Sequence, residues 1–265
     1  MSFNSPVDEI SAWKRKIETM QPEEWIYGLN PVIEAIRSGR NIKVVYVSYA
    51  RRERIHDIKK EAEQRGISIE GAEPLFFDNK FPKGHQGIAA KVFRRSYVSL
   101  DDLLNVPQRK GEAPLFVILD SVEDPRNFGG ILRSVDAAGA HGVVIQSYRS
   151  VSLGPEVSKA SAGAVEYVPV SMVANIKHAM HKMRDAGIII IGAEASGSSV
   201  WESDLTVPLA LVLGSEGKGI RRTVGENCDM ILSLPMRGKV NSLNVSVASG
   251  IFLFEVLRQR SLKGK

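Results

Sequence analysis

Short apolar runs alternate with amphipathic segments along most of this chain, and glycine- and proline-bearing turns separate them. Residues 25–27 read as a strand, and Asn30-Pro31 predicts a helix cap followed by proline at the first helical position, with the helix running to Ser38-Gly39. A β-rich run follows at 42–48, then a charged helix over 51–64 closed by Gly66, then strands at 67–69 and 87–92. Beyond residue 113 the apolar runs become continuous, at 115–119, 142–145, 187–192 and 208–213, as in parallel strands covered on both faces. Helices are predicted between them, from Phe128 to Gly139 and over 156–164 and 174–186. The alternation predicts an α/β protein with a parallel sheet in its C-terminal part and a smaller α/β domain before it. Polar residues 96–112 end in a charged run flanked by Pro and Gly, which predicts a linker. The expected divisions are an extension over 1–23, a small domain over 24–95, the linker, and a larger domain over 113–265. In the extension, Val7, Ile10, Trp13, Ile17 and Met20 recur at helical spacing and predict a packing helix.

The last alternation differs from the others. A short strand over 230–234 is stopped by Pro235, a loop follows through Gly238, and a helix runs from Val245 to about Arg258. Asn244 is a good cap for that helix, and Ser242 and Asn244 sit where free backbone N–H groups point outward, a place suited to a carboxylate or phosphate. The helix is apolar around most of its circumference, which predicts burial in the core or against a second copy of the chain.

Composition narrows the function classes. With 265 residues, 43% of them hydrophobic and 25% charged, the chain can bury a real core in one or two domains. The strongly apolar runs, 187–192 among them, are too short to span a membrane, and residues 1–20 hold charged side chains with no apolar h-region of a signal peptide. A single cysteine, Cys228, excludes an internal disulfide and a multi-cysteine metal site and fits a cytoplasmic protein. The five histidines have no ligand spacing, so no metal is expected. Net charge is +5, and residues 22–100 hold 14 Lys and Arg against 10 Asp and Glu, so most of the excess lies there. Basic groups cluster at Arg51, Arg52 and Arg54 and around Lys80, Lys83 and His85. A solvated helix face and an RNA-binding face both fit that clustering.

Two further stretches carry candidate chemistry. The strand at 115–119 ends in Asp120-Ser-Val-Glu-Asp-Pro-Arg-Asn127, and Arg133 follows six residues later in a largely apolar stretch, which predicts that Asn127 and Arg133 face one crevice. The strand at 208–213 runs into Gly214-Ser-Glu-Gly-Lys-Gly219, whose glycines let backbone amides approach a ligand around Glu216. Neither a phosphate-binding P-loop nor a Gly-x-Gly-x-x-Gly dinucleotide fingerprint is present, so nucleotide-phosphate and NAD readings lose their support.

Taken in order, Asn127-Phe-Gly-Gly-Ile-Leu-Arg133, Leu213-Gly-Ser-Glu216-Gly-Lys-Gly219 and Leu234-Pro-Met…Asn241-Ser242-Leu243-Asn244-Val-Ser resemble the three motifs of the SpoU (TrmH) class of S-adenosylmethionine-dependent RNA ribose methyltransferases. The resemblance covers about residues 113–260. Tyr27-Gly-Leu-Asn-Pro-Val-Ile-Glu-Ala-Ile36 and His85-Gln-Gly87 are similar to the small, L30e-like substrate-binding domain of bacterial 23S rRNA guanosine 2'-O-methyltransferases. The resemblance implies a deep trefoil knot in the C-terminal domain, a bent cofactor held in it, and a homodimer with the site at the interface. It implies that Gly214, Ser215, Leu234, Met236 and Leu243 cradle the cofactor, and that Asn127, Arg133, Glu216, Ser242 and Asn244 form the polar catalytic set. Arg51, Arg52, Arg54, Lys83 and His85 are the expected RNA contacts. Because a guanidinium stays protonated beyond pH 12, Arg133 is expected to orient the phosphate and the 2'-hydroxyl rather than act as base. The leading reading is 2'-O-methylation of a guanosine in 23S rRNA. The same chemistry on tRNA is a second. A catalytically idle ribosome-assembly protein is a third, although it predicts losses at Arg133, Glu216 or Asn244 and none is lost.

Overall fold

The computed structural model describes residues 22–51, 55–239 and 242–263, which form two compact units, one ending at Arg95 and the other beginning at Ser96. The expected packing helix at 1–20, Arg52, Arg54 and Asn241 lie outside the described residues.

The first unit runs β1 (Glu23–Tyr27), α1 (Leu29–Arg37), β2 (Ile42–Ser48), α2 (Ile55–Glu63), β3 (Ile69–Ala72), α3 (Pro74–Lys80) and β4 (Ile88–Phe93). Its sheet has the order β1-β4-β2-β3, with β2 and β3 parallel and the other pairings antiparallel. One sheet face packs Ile26, Val45 and Ala90 against Val32 and Ile36 of α1 and Ile58 of α2. The other gathers Trp25, Tyr27, Tyr46, Phe76, Phe77 and Phe81 into an aromatic cluster. Helix α1 starts one residue before the expected Asn30 cap: Gly28, at φ 96, precedes it and makes no side-chain cap. Its first N–H finds the side chain of a distant residue instead, Leu29 N donating to Gln86 Oε1 at 3.0 Å. Helix α3 has no counterpart in the expected elements, because residues 71–83 show no helical period longer than two turns.

The second unit begins with α4 (Leu100–Leu104) and α5 (Val106–Lys110) and continues β5 (Leu115–Asp120), α6 (Pro125–Ala137), β6 (Gly142–Gln146), α7 (Pro155–Ala160), β7 (Val170–Val173), α8 (Ile176–Asp185), β8 (Ile189–Ser199), β9 (Leu209–Gly214), α9 (Arg222–Gly225), β10 (Met230–Ser233) and α10 (Val245–Lys263). The expected linker at 96–112 is therefore folded. Leu103 is fully buried in this unit's core, Val98 N donates to Val170 O at 2.9 Å, and the Tyr97 hydroxyl accepts from Leu153 N at 3.0 Å. Its polar composition reflects two short helices that each bury one side only. The short strand β7, four residues long, also went unpredicted, since it is too brief to show a period.

All pairings in the six-stranded sheet are parallel, in the order β10-β8-β9-β5-β6-β7. Inward alternation sorts the strands between two cores. Val117 and Leu119 join Phe128, Leu132 and α10's Phe252 on one face, while Phe116 and Ile118 join Met180 and Met183 of α8 on the other. From β5 the chain moves outward to β6 and β7, then crosses to lay down β8, β9 and β10 on the opposite side. The carboxyl ends of β5 and β9 thus flank the point where strand order reverses, the usual ligand crevice of open α/β sheets.

Two departures from regularity shape that crevice. Strand β10 pairs Ile231 with Gly192 but the next residue, Leu232, with Ser198, so residues 193–197 of β8 bulge out of the ladder. The bulge closes at Gly197, where a Cβ would lie 2.5 Å from Ile231 C and O, so only glycine fits. The second departure is the tight reversal after β9, where Ser215 and Gly219 exchange backbone bonds of 3.1 and 3.0 Å. A Cβ on Gly214 would meet the Gly219 carbonyl carbon at 2.0 Å.

Helix α10 presents two faces rather than an apolar whole. Val245, Phe252, Leu253 and Val256 are buried, whereas Val247, Phe254 and Leu257 are exposed at 50%, 49% and 37%. Among the described residues no helix is long and apolar enough to cross a membrane, and no three His, Cys, Asp or Glu side chains are grouped to hold a metal.

Candidate functional site

The β8 bulge, the reversal after β9 and the loop before α10 enclose a cavity of about 720 Å³ at the carboxyl end of the sheet. That volume lies in the range of small-molecule sites. Gly214, Ser215, Leu234, Met236 and Leu243, the residues expected to cradle a cofactor, all line it, as do Glu216, Ser242 and Asn244. Apolar walls come from Leu213, Val245 and Phe252, and the charged lining groups are Glu194, Glu216 and Lys218.

One amide organises the polar side. Asn244 Oδ1 accepts from the backbone N–H of Ser246 at 3.0 Å and of Val247 at 3.3 Å, and so caps α10 as expected. The Ser246 hydroxyl donates to the same oxygen at 2.6 Å. With its carbonyl oxygen fixed there, the Nδ2 group points the other way and donates one hydrogen to Asn127 Oδ1 at 2.9 Å and the other to Glu216 Oε1. The first turn of α6, the reversal after β9 and the loop before α10 thus meet on one side chain. Asn127 is buried at 7% exposure, on a helix that Asp124 caps by accepting from Arg126 N at 2.7 Å.

Arg133 does not share that crevice. Six residues of α-helix turn through about 600°, so its side chain leaves α6 about 120° away from Asn127. Asn127 faces α10, and Arg133 is exposed with no hydrogen bond among the described residues. Ser242 is exposed at the cavity edge.

The bulge supplies a residue that motif reading missed. Glu194 Oε1 accepts from Ile220 N at 2.9 Å, bracing the loop after β9 from the β8 side. On the other side Asp120, fully buried, accepts from Arg221 N at 2.7 Å and Arg221 Nε at 2.6 Å. The run of small residues at 192–199 around one glutamate was the available signal for the bulge. Nearby, burial pushes the Cys228 thiol up to about 11, so it stays protonated and inert.

In the first unit, His85 and Arg51 converge on Gln86. Arg51 Nη1 donates to the Gln86 carbonyl, His85 Nδ1 accepts from Gly87 N at 3.0 Å, and His85 Nε2 lies 3.1 Å from Asp78 Oδ1. The His85 ring also stacks on Phe77 at 5.8 Å, so it shapes the turn in which Gln86 adopts φ 56. Lys83 is exposed on the same loop.

A parallel α/β domain with a glycine-walled cavity at its strand switch, edged by a carboxylate and two amides, defines a protein shaped to hold a small organic ligand beside a polar cluster. The chain belongs to the SpoU/TrmH family of RNA methyltransferases: residues 114–254 match the SpoU rRNA Methylase family, and residues 25–98 match the RNA 2'-O ribose methyltransferase substrate binding family. It is 41% identical over 247 residues to YacO of Bacillus subtilis (strain 168), named for the TrmH family of tRNA/rRNA methyltransferases, covering 92% of this chain and 99% of that protein. The crystal structure of the SpoU methyltransferase AviRb from Streptomyces viridochromogenes in complex with AdoMet is similar with a TM-score of 0.75 and 26% identity, over 97% of this chain and 94% of that one. An AdoMet-bound rRNA methyltransferase from Sinorhizobium meliloti is similar with a TM-score of 0.73 and 27% identity, over 97% and 96%.

Proposed function

We propose that the chain is an S-adenosylmethionine-dependent 2'-O-ribose methyltransferase acting on a guanosine of 23S rRNA. The observation that carries this reading is the single amide of Asn244 bridging Asn127 and Glu216 at the edge of the cavity. The cavity suits the cofactor: it has the right size, apolar walls, backbone groups of Gly214 and Leu234, and two carboxylates for a ligand with cationic groups. When bound, the cofactor supplies the methyl group on a positively charged sulfur.

The protein's own part is largely positioning. Asn244, itself bonded to Asn127, holds Glu216 of the glycine loop in place, and hydrogen bonds fixed in advance lower the cost of ordering the reactants. A guanidinium is a poor base, so Arg133 orients a phosphate and the ribose 2'-hydroxyl, and the proton leaves to an RNA phosphate or to water. Its exposure on α6 supports its acting at the site of a second copy, across a homodimer. The exposed stripe of Val247, Phe254 and Leu257 supports the same homodimer, because unpaired apolar helix faces of this kind pack against a copy. The deep knot belongs to this reading too. Its support is that β10 is an edge strand, that Leu234, Met236, Ser242 and Asn244 line the cavity, and that α10, the next helix, packs on α6.

The first unit, L30e-like in this reading, selects the RNA through Arg51, Arg52, Arg54, Lys83 and His85, consistent with the excess of basic residues over 22–100. The protein acts in the cytoplasm. Mass-spectrometric mapping of 2'-O-methyl groups in rRNA and tRNA from cells lacking it tests the whole reading. Loss of one guanosine methyl group in 23S rRNA is expected. A loss confined to tRNA would move the substrate, and an unchanged map would remove the enzymatic reading.

A further inference from the structure

The ends of β5 and β6 carry a second built arrangement outside the cavity. Arg221 lies across them, with Nε and its backbone N–H on the buried Asp120 at 2.6 and 2.7 Å and Nη2 on Gln146 Oε1 at 2.7 Å. Its side chain is nevertheless 38% exposed. Asp120 and Gln146 together fix the plane of the guanidinium. Nη1 makes no hydrogen bond among the described residues, so two N–H groups there, and one on Nη2, remain for a partner from solvent. A guanidinium held in one plane with spare parallel donors is preset for an oxyanion such as a phosphodiester.

The loop after β6 continues this surface. Two residues past Gln146, the Tyr148 ring is 67% exposed, with the Arg149 guanidinium 5.3 Å from its centre. This is not a loose loop. Ser147 N donates to Val173 O at 2.9 Å, the Ser150 hydroxyl donates to the Gln146 carbonyl, and Leu153 N donates to the Tyr97 hydroxyl at 3.0 Å. Arg149 is held at φ 56, a left-handed conformation that costs a non-glycine residue energy and clusters at binding sites. An aromatic ring presented to water beside the Arg149 guanidinium is not the charge-depleted core that a protein interface buries. It has what single-stranded RNA uses, a stacking face beside phosphate donors.

We propose that Arg221, Tyr148 and Arg149 form an RNA-contact ridge of the second unit. The spare N–H groups of Arg221 take a backbone phosphate, and Tyr148 stacks an unpaired base neighbouring the nucleotide that is methylated. The proposal rests on the methyltransferase reading only for the last clause; the contact itself requires RNA binding alone.

The test uses the full chain, in-vitro-transcribed large-subunit rRNA as the probe, and both fluorescence binding and methyl-transfer assays. Tyr148→Ala should weaken binding roughly five- to hundredfold, and Tyr148→Phe should restore it, because stacking needs only the ring. Arg221→Lys keeps a cation beside Asp120 but loses the fork. It should raise KM for RNA more than it lowers kcat and reduce the slope of log affinity against log salt by about one. Calorimetric affinity for S-adenosylmethionine should stay at the wild-type value in Tyr148→Ala, which separates this role from a collapsed site. Wild-type binding and salt slope in both Tyr148→Ala and Arg221→Lys would overturn the ridge. If the wild type binds the transcript but methylates no RNA, the proposed function fails and the ridge is still judged by affinity. If the wild type binds no RNA, both fail.

Discussion

Asn244 and Asn127 stand 117 positions apart in the chain, and the amide of one donates to the amide oxygen of the other at 2.9 Å. Asn244 can do this only because its own oxygen is spent on capping α10. Cap and bridge are therefore separable by chemistry. Asn244→Asp keeps the capping oxygen and suits the helix dipole, but it removes the donor and sets a carboxylate beside Glu216. The variant should unfold within about 1 kcal/mol of the wild type while methyl transfer falls at least about tenfold, a loss of some 1.4 kcal/mol in transition-state binding. Chemical denaturation and single-turnover assays check the pair of outcomes; equal losses in both would mean that the cap alone matters.

Gly214 offers a sharper contrast. A methyl group there would sit 2.0 Å from Gly219 C and 2.2 Å from its O, all backbone atoms with nowhere to retreat. Gly217, at φ +79, has nothing within 4 Å. Gly214→Ala should open the reversal and abolish calorimetric cofactor binding, whereas Gly217→Ala should bind with only the roughly 1–2 kcal/mol penalty of a left-handed alanine.

His141 links stability to pH. It is 2% exposed and accepts from Leu115 N at 3.0 Å through Nδ1, so its proton sits on Nε2, 3.0 Å from Glu112 Oε2. Burial lowers its pKa below 6.5 and outweighs the opposing pull of Glu112, so the contact is a neutral hydrogen bond rather than an ion pair. The unfolded chain then binds a proton that the folded one refuses. Stability should fall as pH drops below about 6.5, by up to about 1.4 kcal/mol per unit from this group. His141→Asn should flatten that part of the profile; an unchanged slope in urea titrations from pH 7 to 5 would reject the assignment.

The second unit should stand alone only if cut in the right place. A chain beginning at Ser96 keeps Tyr97, Val98 and the fully buried Leu103. One beginning at Ala113 loses them, and with them roughly 3 kcal/mol, since a buried leucine alone contributes about 2 kcal/mol. Both should be compared by thermal melting with cofactor present. Equal melting temperatures would show 96–112 to be dispensable.

Phe254, 49% exposed on α10, tests the homodimer. Phe254→Asp should leave the melting of the unit near the wild-type value, because the side chain buries little within one chain. It should shift light scattering toward a monomer at micromolar concentration. A wild-type monomer would remove the dimer and, with it, Arg133's action at a partner site.

The strand–helix alternation, the parallel class of the second sheet and the three stretches that wall the cavity can all be read from the order of residues. Those features are written locally. Continuous apolar runs declare buried strands, Asn244 declares a cap, and the glycines after residue 213 declare a close backbone approach. How those stretches meet depends on the folded arrangement. That Asn127 turns toward α10 while Arg133 turns away follows from helix phase relative to a packing partner, which no spacing of six residues reveals. The same holds for the bulge at 193–197, which exists because β10 pairs with β8 on both sides of it, and for Gln86 starting α1 from a loop 57 residues away. Local patterns record which residues want burial or a cap. Pairings between distant strands and side chains arise only when the sheet closes, so the Glu194 brace and the Asp120–Arg221 lock were legible only in three dimensions.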